Sequence, residues 1–551
     1  MEDKTKSGIA KDTEQEQNKA KNQSAKGQRR SGHDRKRNRN TNNNNNESKD
    51  QKRYRGNDYH WYVINDAIGQ AVASIPYNQF PGVRINVGRA IAKNSIIAQP
   101  AKQTIPGIMG ICYVPGPGRS KGATSAVNIA AKSIYSWVRH ANSGHSNYES
   151  SDLMLYILAM DDVYSSYGEA VRMYKTAMTF VAENRNIPDL LLTSMGVKPD
   201  TLRENLAQFR YRINLLAAKI SSMAVPDVCD IFKRHVFLTN AVYSDSTSNR
   251  SQFYVFKKTG YYTFDATTSS GGSLRYTEYA GPDEALFTRT WQQVIADLES
   301  QIDPIISDED MNIMSGDILK AYGSDKIYHL AMVDENATVD ILSDENILGQ
   351  IENAFIGVNS DGGDYAPSIT QENNLIMYSG PTCKILDMNA SAVAAYSVAS
   401  GSRIFNSHKD NPDWKDALEW TRFVPGGMVD DEDDGTYSYS SFGTEVVRNF
   451  EFAYYYVSPE DESLVINGTT CFTSMLSNSN SVDKRIASLM SMFDWHPIMY
   501  THTETTVGGT TTVSDFFPFG DLKKYTLISP DIIDGINDAA VMGELAFNLK
   551  A

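Results

Sequence analysis

Residues 1–55 contain almost no large apolar side chain, Met1, Ile9 and Tyr54 being the exceptions, and they include the uninterrupted run Asn42 to Asn46. Such a segment cannot bury enough surface to offset the conformational entropy lost on ordering it. It is expected to be disordered in isolation, so a folded core has to come from the sequence beginning near Tyr59-His60-Trp61-Tyr62-Val63-Ile64. Charge divides the chain at the same place. Residues 1–60 hold 16 Lys or Arg against 9 Asp or Glu, whereas the remainder holds 36 against 58. From Lys19 to Arg55 the imbalance is 13 basic to 3 acidic residues. A cationic leader on an anionic body is the pattern of an arm that contacts a polyanion. A solubilising terminus has the same composition.

The candidate contacts are Lys19, Lys21, Lys26, Arg29, Arg30, Arg35, Lys36, Arg37, Arg39, Lys52, Arg53 and Arg55, set among Asn, Gln and Ser. Each can neutralise a phosphate and release counterions, which gives an affinity that falls steeply with salt and ignores base sequence. No RNA-reading aromatic motif accompanies them. The expected role is charge compensation with little specificity. Arg29-Arg30 and Arg35-Lys36-Arg37 also fit nuclear-targeting clusters.

Behind the arm, 551 residues at 41% hydrophobic content support a large core and a prior of two to four domains. The cysteines Cys112, Cys229, Cys383 and Cys471 are far apart and form no CxxC pair. That argues against a cysteine-based zinc site and implies no disulfide framework. Met1-Glu2-Asp3-Lys4 has no apolar signal core, and the longest strongly apolar run, Leu153 to Met160, is far too short to span a bilayer. A soluble protein made in a reducing cytoplasm is expected.

Residues 60–235 read as mainly helical. Thr124-Ser125 caps a helix with Val127, Ala130, Ile134 and Val138 on one face. Val163, Tyr167, Val171, Tyr174, Met178 and Val181 mark a second. Pro199-Asp200-Thr201, with Glu204 as capping-box partner, opens a long third helix whose seam is Leu202, Leu206, Phe209, Ile213, Leu216 and Ile220. From about 236 the texture becomes β-like. Residues 252–257 and 261–264 flank Lys258-Thr259-Gly260 as a hairpin candidate. Further runs are Asn374 to Tyr378, Val446 to Val457 and Ser463 to Ile466, and Pro282 to Leu298 reads as an intervening helix. Helical pattern returns at Ser481 to Phe493 and from Ser529-Pro530 onward. The expected fold is mainly α with a β-containing insertion, an α+β architecture. The expected division is an arm at 1–55, a helical body at 56–235 and 481–551, and a mixed domain at 236–480.

Three features invite a reading as chemistry. Gly107 to Val114, then Pro115-Gly116-Pro117-Gly118-Arg119-Ser120-Lys121-Gly122-Ala123-Thr124, gives strand, glycine-rich loop and helix in P-loop order. A phosphate loop needs Lys directly after its last glycine, followed by Ser or Thr, whereas here Lys121 precedes Gly122. A rigid turn into a helix is expected. Asp430-Asp431-Glu432-Asp433-Asp434-Gly435 imitates a calcium loop, but its twelfth position is Ser441 rather than a bidentate Glu. A solvated acidic loop is favoured over a weak divalent site. His496, His502 and Glu504 match no metal spacing, and neither a G-x-S-x-G elbow nor HExxH occurs. No catalytic residue, cofactor or metal is assigned.

The Asn-rich basic arm, the stretch Arg55-Gly56-Asn57-Asp58-Tyr59-His60-Trp61-Tyr62 and the helical–mixed–helical order together resemble picobirnavirus capsid proteins over essentially the whole length. The resemblance implies a structural virion protein. Symmetric dimers would close into a small icosahedral shell around double-stranded RNA, with a helical shell domain, a protruding domain and the arm inside against the RNA. It further implies assembly in the host cytoplasm and transient contact with a host membrane during infection. Family members are associated with N-terminal self-cleavage, and no residue here identifies a scissile bond. The competing reading is a non-assembling RNA-binding accessory protein or nucleoprotein, which the state of assembly separates from a capsid subunit. An enzyme built on the Gly116 to Gly122 loop is the third.

Overall fold

The computed structural model of the chain describes residues 57–73, 107–142, 144, 147–179, 187–246, 251–268, 271–279, 286–356, 367–380, 382–384, 397–432, 436–457 and 464–545. The described residues begin where large apolar side chains begin. Asp58 caps the turn Tyr59–Trp61 by accepting from the His60 N–H, and Trp61, Tyr62 and Val63 are buried at once. Residues 56–551 make one compact unit.

Helices α1 (Asp66–Ala73), α2 (Ala126–Ala141), α3 (Ser150–Met178), α4 (Leu206–Ile220), α5 (Asp230–Asn240), α6 (Trp291–Ser307), α7 (Glu309–Tyr322) and α8 (Pro530–Leu545) build its helical part. Helix α3 is the axis. Its 29 residues are buried almost throughout, polar ones included, as expected of a helix enclosed on all sides by a large core. The predicted seam of Val163, Tyr167, Val171 and Tyr174 lies within it, while Val181 is outside the described residues. Gly168 lets α5 approach, since a Cβ there would stand 2.4 Å from Thr239 Oγ1. The predicted stripe Val127, Ala130, Ile134 and Val138 is the buried face of α2. Helix α8 packs against both α1 and α2, so the two ends of the compact unit share one helical layer.

Strands β1 (Ile108–Pro115), β2 (Ala241–Ser244), β3 (Phe253–Lys258), β4 (Asp340–Leu342), β5 (Glu445–Val457) and β6 (Leu464–Cys471) form a mixed sheet in the order β6-β5-β1-β3-β2-β4. Every residue of β1 is buried, the near-continuous apolar pattern of a strand covered on both faces. It runs parallel to β3, with Ile108 beside Phe253, and antiparallel to β5, with Ile108 opposite Ala453. A four-stranded antiparallel sheet holds residues 260–268, 271–278, 368–372 and 375–379, and smaller sheets complete the α+β fold.

Three local expectations are corrected. Residues 252–257 and 261–264 do not form a hairpin. Strand β3 lies between β1 and β2, while 260–268 pairs with 271–278 in another sheet. Lys258 carries the chain from one sheet to the other and is fully buried rather than at an exposed turn. The third helix is broken. A short turn Pro199–Arg203 precedes α4, and Asn205 between them has φ −131° and ψ 25°. The Asn205 side chain donates to the Thr201 carbonyl, and Thr201 bonds Lys198 rather than capping. The apolar stripe survives the break, with Leu202, Phe209, Ile213, Leu216 and Ile220 buried. The helix expected from Pro282 begins only at Trp291. Thr290 and Gln293 make its reciprocal capping box, and Leu286 sits at φ 54°, outside helical geometry.

Candidate functional site

The predicted arm contacts from Lys19 to Arg55 lie outside the described residues. The P-loop-like segment is described, and its polar groups are spent on the protein itself. Ser125 Oγ accepts from the N–H groups of Lys121 (3.1 Å) and Gly122 (3.2 Å), the donors a phosphate would need. Asn128 ties the loop to strand 375–379, donating to Ser120 Oγ and the Ile376 carbonyl at 3.0 Å each and accepting from Ile376 N–H at 2.8 Å. Gly118, at φ 73°, fits beneath Val541 of α8. This is a structural joint. Replacing the exposed Lys121 with alanine should change unfolding free energy by less than about 0.5 kcal/mol; a larger loss in denaturant titration would show that its side chain holds the joint.

The acidic run closes an antiparallel pair, residues 428–432 with 436–439, so no helices flank it; Asp433, Asp434 and Gly435 are outside the described residues. His496 stacks on Phe519, while His502 bonds Glu504 at 3.0 Å. Among the described residues no cluster of three or more His, Cys, Asp or Glu side chains is arranged to hold a metal. None of the described helices is long and apolar enough to cross a membrane.

What sequence reading missed is a sealed ionic network where α5, β5, α8 and the segment 59–63 meet. Arg234 Nε donates to Glu445 Oε1 at 2.6 Å, and its Nη2 donates to Gln350 at 2.8 Å. The neighbouring His235 meets Asp161 of α3 through Nδ1 at 2.6 Å and stands 3.8 Å from Glu445 through Nε2. Arg422 faces Glu544 of α8 at 3.7 Å. Both guanidiniums lie over the Tyr62 ring, at 5.2 and 5.3 Å. The side chains of Arg234, His235, Glu445, Arg422 and Glu544 have no solvent exposure.

Electrostatics decide who holds the protons. Burial opposes charge on Glu445, but Arg234, His235 and Arg422 outweigh it and hold its carboxyl below the usual range. Glu544 goes the other way: burial and the adjacent Glu445 charge push it up to about 7. Thr444 Oγ lies within bonding distance of Glu445 (3.0 Å) and of Glu544, yet a hydroxyl has one proton to give. Donation to Glu544 by itself favours the ionised carboxylate, a smaller influence than burial and the Glu445 charge. Burial disfavours charge on His235, and Asp161 more than offsets that, so its affinity for the proton rises.

A second buried set pins the crossing from β3 to the next sheet. Lys258 Nζ donates to Asp162 Oδ1 at 2.7 Å, and Lys257 on the opposite face donates to Glu451 at 2.9 Å. Both sets bind elements of the fold to each other, and neither opens on solvent. The signal for the first was legible only in hindsight: Lys233-Arg234-His235 interrupts the apolar residues between Ile231 and Leu238, and Glu445 heads a distant strand rich in apolar residues.

The geometry is thus that of a protein whose charged interior is structural, and known proteins agree. Residues 61–501 match the family model for the picobirnavirus capsid protein. The capsid protein precursor of a human picobirnavirus (strain Human/Thailand/Hy005102/-) is 28% identical over 522 residues, covering 88% of this chain and 90% of the relative. The X-ray structure of a picobirnavirus capsid superposes with a TM-score of 0.68 at 25% identity, covering 90% of this chain and 99% of that one. Sequence, fold and the extent of both matches lead to one assignment: the chain belongs to the picobirnavirus capsid protein family, a structural protein of the virion.

Proposed function

We propose that the chain assembles as symmetric dimers into a small icosahedral shell around double-stranded RNA, with the cationic arm neutralising the packaged phosphates. The observation that carries this reading is the match to a solved capsid over 90% of this chain and 99% of the other. An assembled container is the setting in which an acidic body and a leader with 13 basic residues against 3 acidic serve different sides of one shell. Residues 56–235 and 481–551 are assigned to the shell domain and 236–480 to the protruding domain. The packing of α8 on α1 and α2 supports joining the two terminal parts. Assembly is assigned to the host cytoplasm, and transient contact with a host membrane rests on the family resemblance alone. The relative is named a precursor, which supports processing there; no scissile bond is assigned here.

Expression of the full chain, with negative-stain imaging and sedimentation, tests the core of this. Uniform closed particles are expected, and a monomer at high concentration would overturn it. Deleting residues 1–55 should leave the thermal unfolding midpoint within about 2 °C, the surface-change range, while nucleic acid per particle falls severalfold. Unchanged nucleic-acid content would remove the arm from that role. The full chain's affinity for RNA should also fall by orders of magnitude as salt rises.

A further inference from the structure

Among the described residues, five large apolar side chains are at least half exposed: Tyr211, Leu215, Met332, Val482 and Val507. Three of them meet on one face. Tyr211 (66% exposed) and Leu215 (50%) are one turn apart on the outer side of α4. The segment bearing Met332 (65%) is clamped beside them, because Asn214 accepts from the Val333 N–H at 2.7 Å and donates to its carbonyl at 3.1 Å. Helical spacing extends the stripe through the exposed Ala207 and Ala218. The opposite face of α4 is already buried in the core through Phe209, Ile213, Leu216 and Ile220.

The charges around this stripe are balanced in pairs. On the Met332 side Arg210 faces Glu335 at 3.9 Å. On the other, Arg212 and Lys219 pair with Glu299 and Asp303 of α6. Glu335 (76% exposed) and Asp303 (53%) keep much of their surface open. An apolar centre within a polar, mixed-sign rim is the anatomy of a protein–protein contact. Each flank carries both signs, so a copy turned by a twofold axis does not set a row of like charges against its own image. RNA would instead select a cationic rim.

We propose that the outer face of α4, centred on Tyr211, Leu215 and Met332, is a contact with a second copy of this chain. The proposal rests on the assembly reading above and adds where one of its contacts lies. A twofold across the stripe lays Tyr211 of one copy near Leu215 of the other and buries both Met332 side chains.

The test compares the full-length wild type with Leu215→Arg. At concentrations where the wild type forms particles, the variant should keep the same thermal unfolding profile yet give at least tenfold fewer particles by sedimentation. Particles at wild-type yield from the variant overturn the proposal; absence of particles from the wild type overturns the assembly reading instead. A second measurement needs no substitution. Peroxide should oxidise Met332 at least tenfold more slowly in wild-type particles than in dissociated subunits, read by peptide mass. Equal rates overturn the contact. Protection that disappears in RNA-free particles, or binding of anionic vesicles that Leu215→Arg abolishes while assembly stays normal, would assign the face to RNA or to a membrane and overturn it as well.

Discussion

Replacing Arg234 with methionine should destabilise the folded subunit by about 3–5 kcal/mol, the usual result of removing one partner from a buried ion pair. The side chain has no solvent exposure and donates to Glu445 and Gln350. Methionine fills much of its volume, so the loss comes from leaving Glu445 charged, dry and deprived of its strongest partner rather than from a cavity. His235, 3.8 Å from the same oxygen, cannot compensate in full because its Nδ1 is held by Asp161. The pair need not have been a large net gain when formed, since taking two charges out of water costs about as much as their attraction returns. The cycle Arg234→Met, Glu445→Gln and the double variant, each followed by urea unfolding, separates these contributions. The double variant should recover at least about 1 kcal/mol relative to the sum of the singles. Additive losses would mean that the two side chains act independently, contrary to the 2.6 Å contact.

The network also shows where legibility in the sequence ends. Apolar periodicity is local, and elements read from it were found: the stripe of α2, the seam within α3, strand β5 and the helices beginning at Ser481 and Pro530. Glycine spacing and the misplaced Lys121 identified the 116–122 loop as a turn, and the structure supplies the reason, with Ser125 and Asn128 consuming its polar groups. Partner choice is not local. Strand β1 sits between β3 and β5, whose sequence positions are more than a hundred residues away in opposite directions along the sheet order, and nothing in Ile108 to Pro115 specifies either neighbour. Lys258 reads as a turn residue beside Lys257 at a strand end, since lysine is rarely buried unpaired. Their acids, Glu451 and Asp162, are visible only once β5 and α3 are in place. The expectation for residues 1–55, which lie outside the described residues, rests on the opposite ground. Their composition excludes a core whatever surrounds them.

A large pH effect should come from Glu544. Its folded-state affinity for a proton is raised, to a pKa of about 7 against 4.5 for a free carboxyl. The stability it contributes is therefore fully present below the unfolded value and is lost as pH rises through about 7. His235, also raised, works in the same direction. Glu445 works oppositely: its carboxyl is lowered, so its contribution is present above the ordinary value and fails only in stronger acid. Together they place the network's best range near pH 5 and predict loosening of α8 on the alkaline side. Glu544→Gln isolates the effect, because an amide imitates the protonated acid and does not titrate. At pH 5 the variant should match the wild type within about 1 kcal/mol, while at pH 8.5 it should be more stable by a few kcal/mol, one pKa unit being worth about 1.4 kcal/mol. Urea unfolding at both pH values measures the difference, and hydrogen exchange within residues 530–545 should show the wild type opening there first as pH rises, after correction for intrinsic exchange. A variant less stable than the wild type at both pH values, by the same amount, would mean that Glu544 is ionised in the fold and that Arg422 at 3.7 Å governs it instead of Glu445.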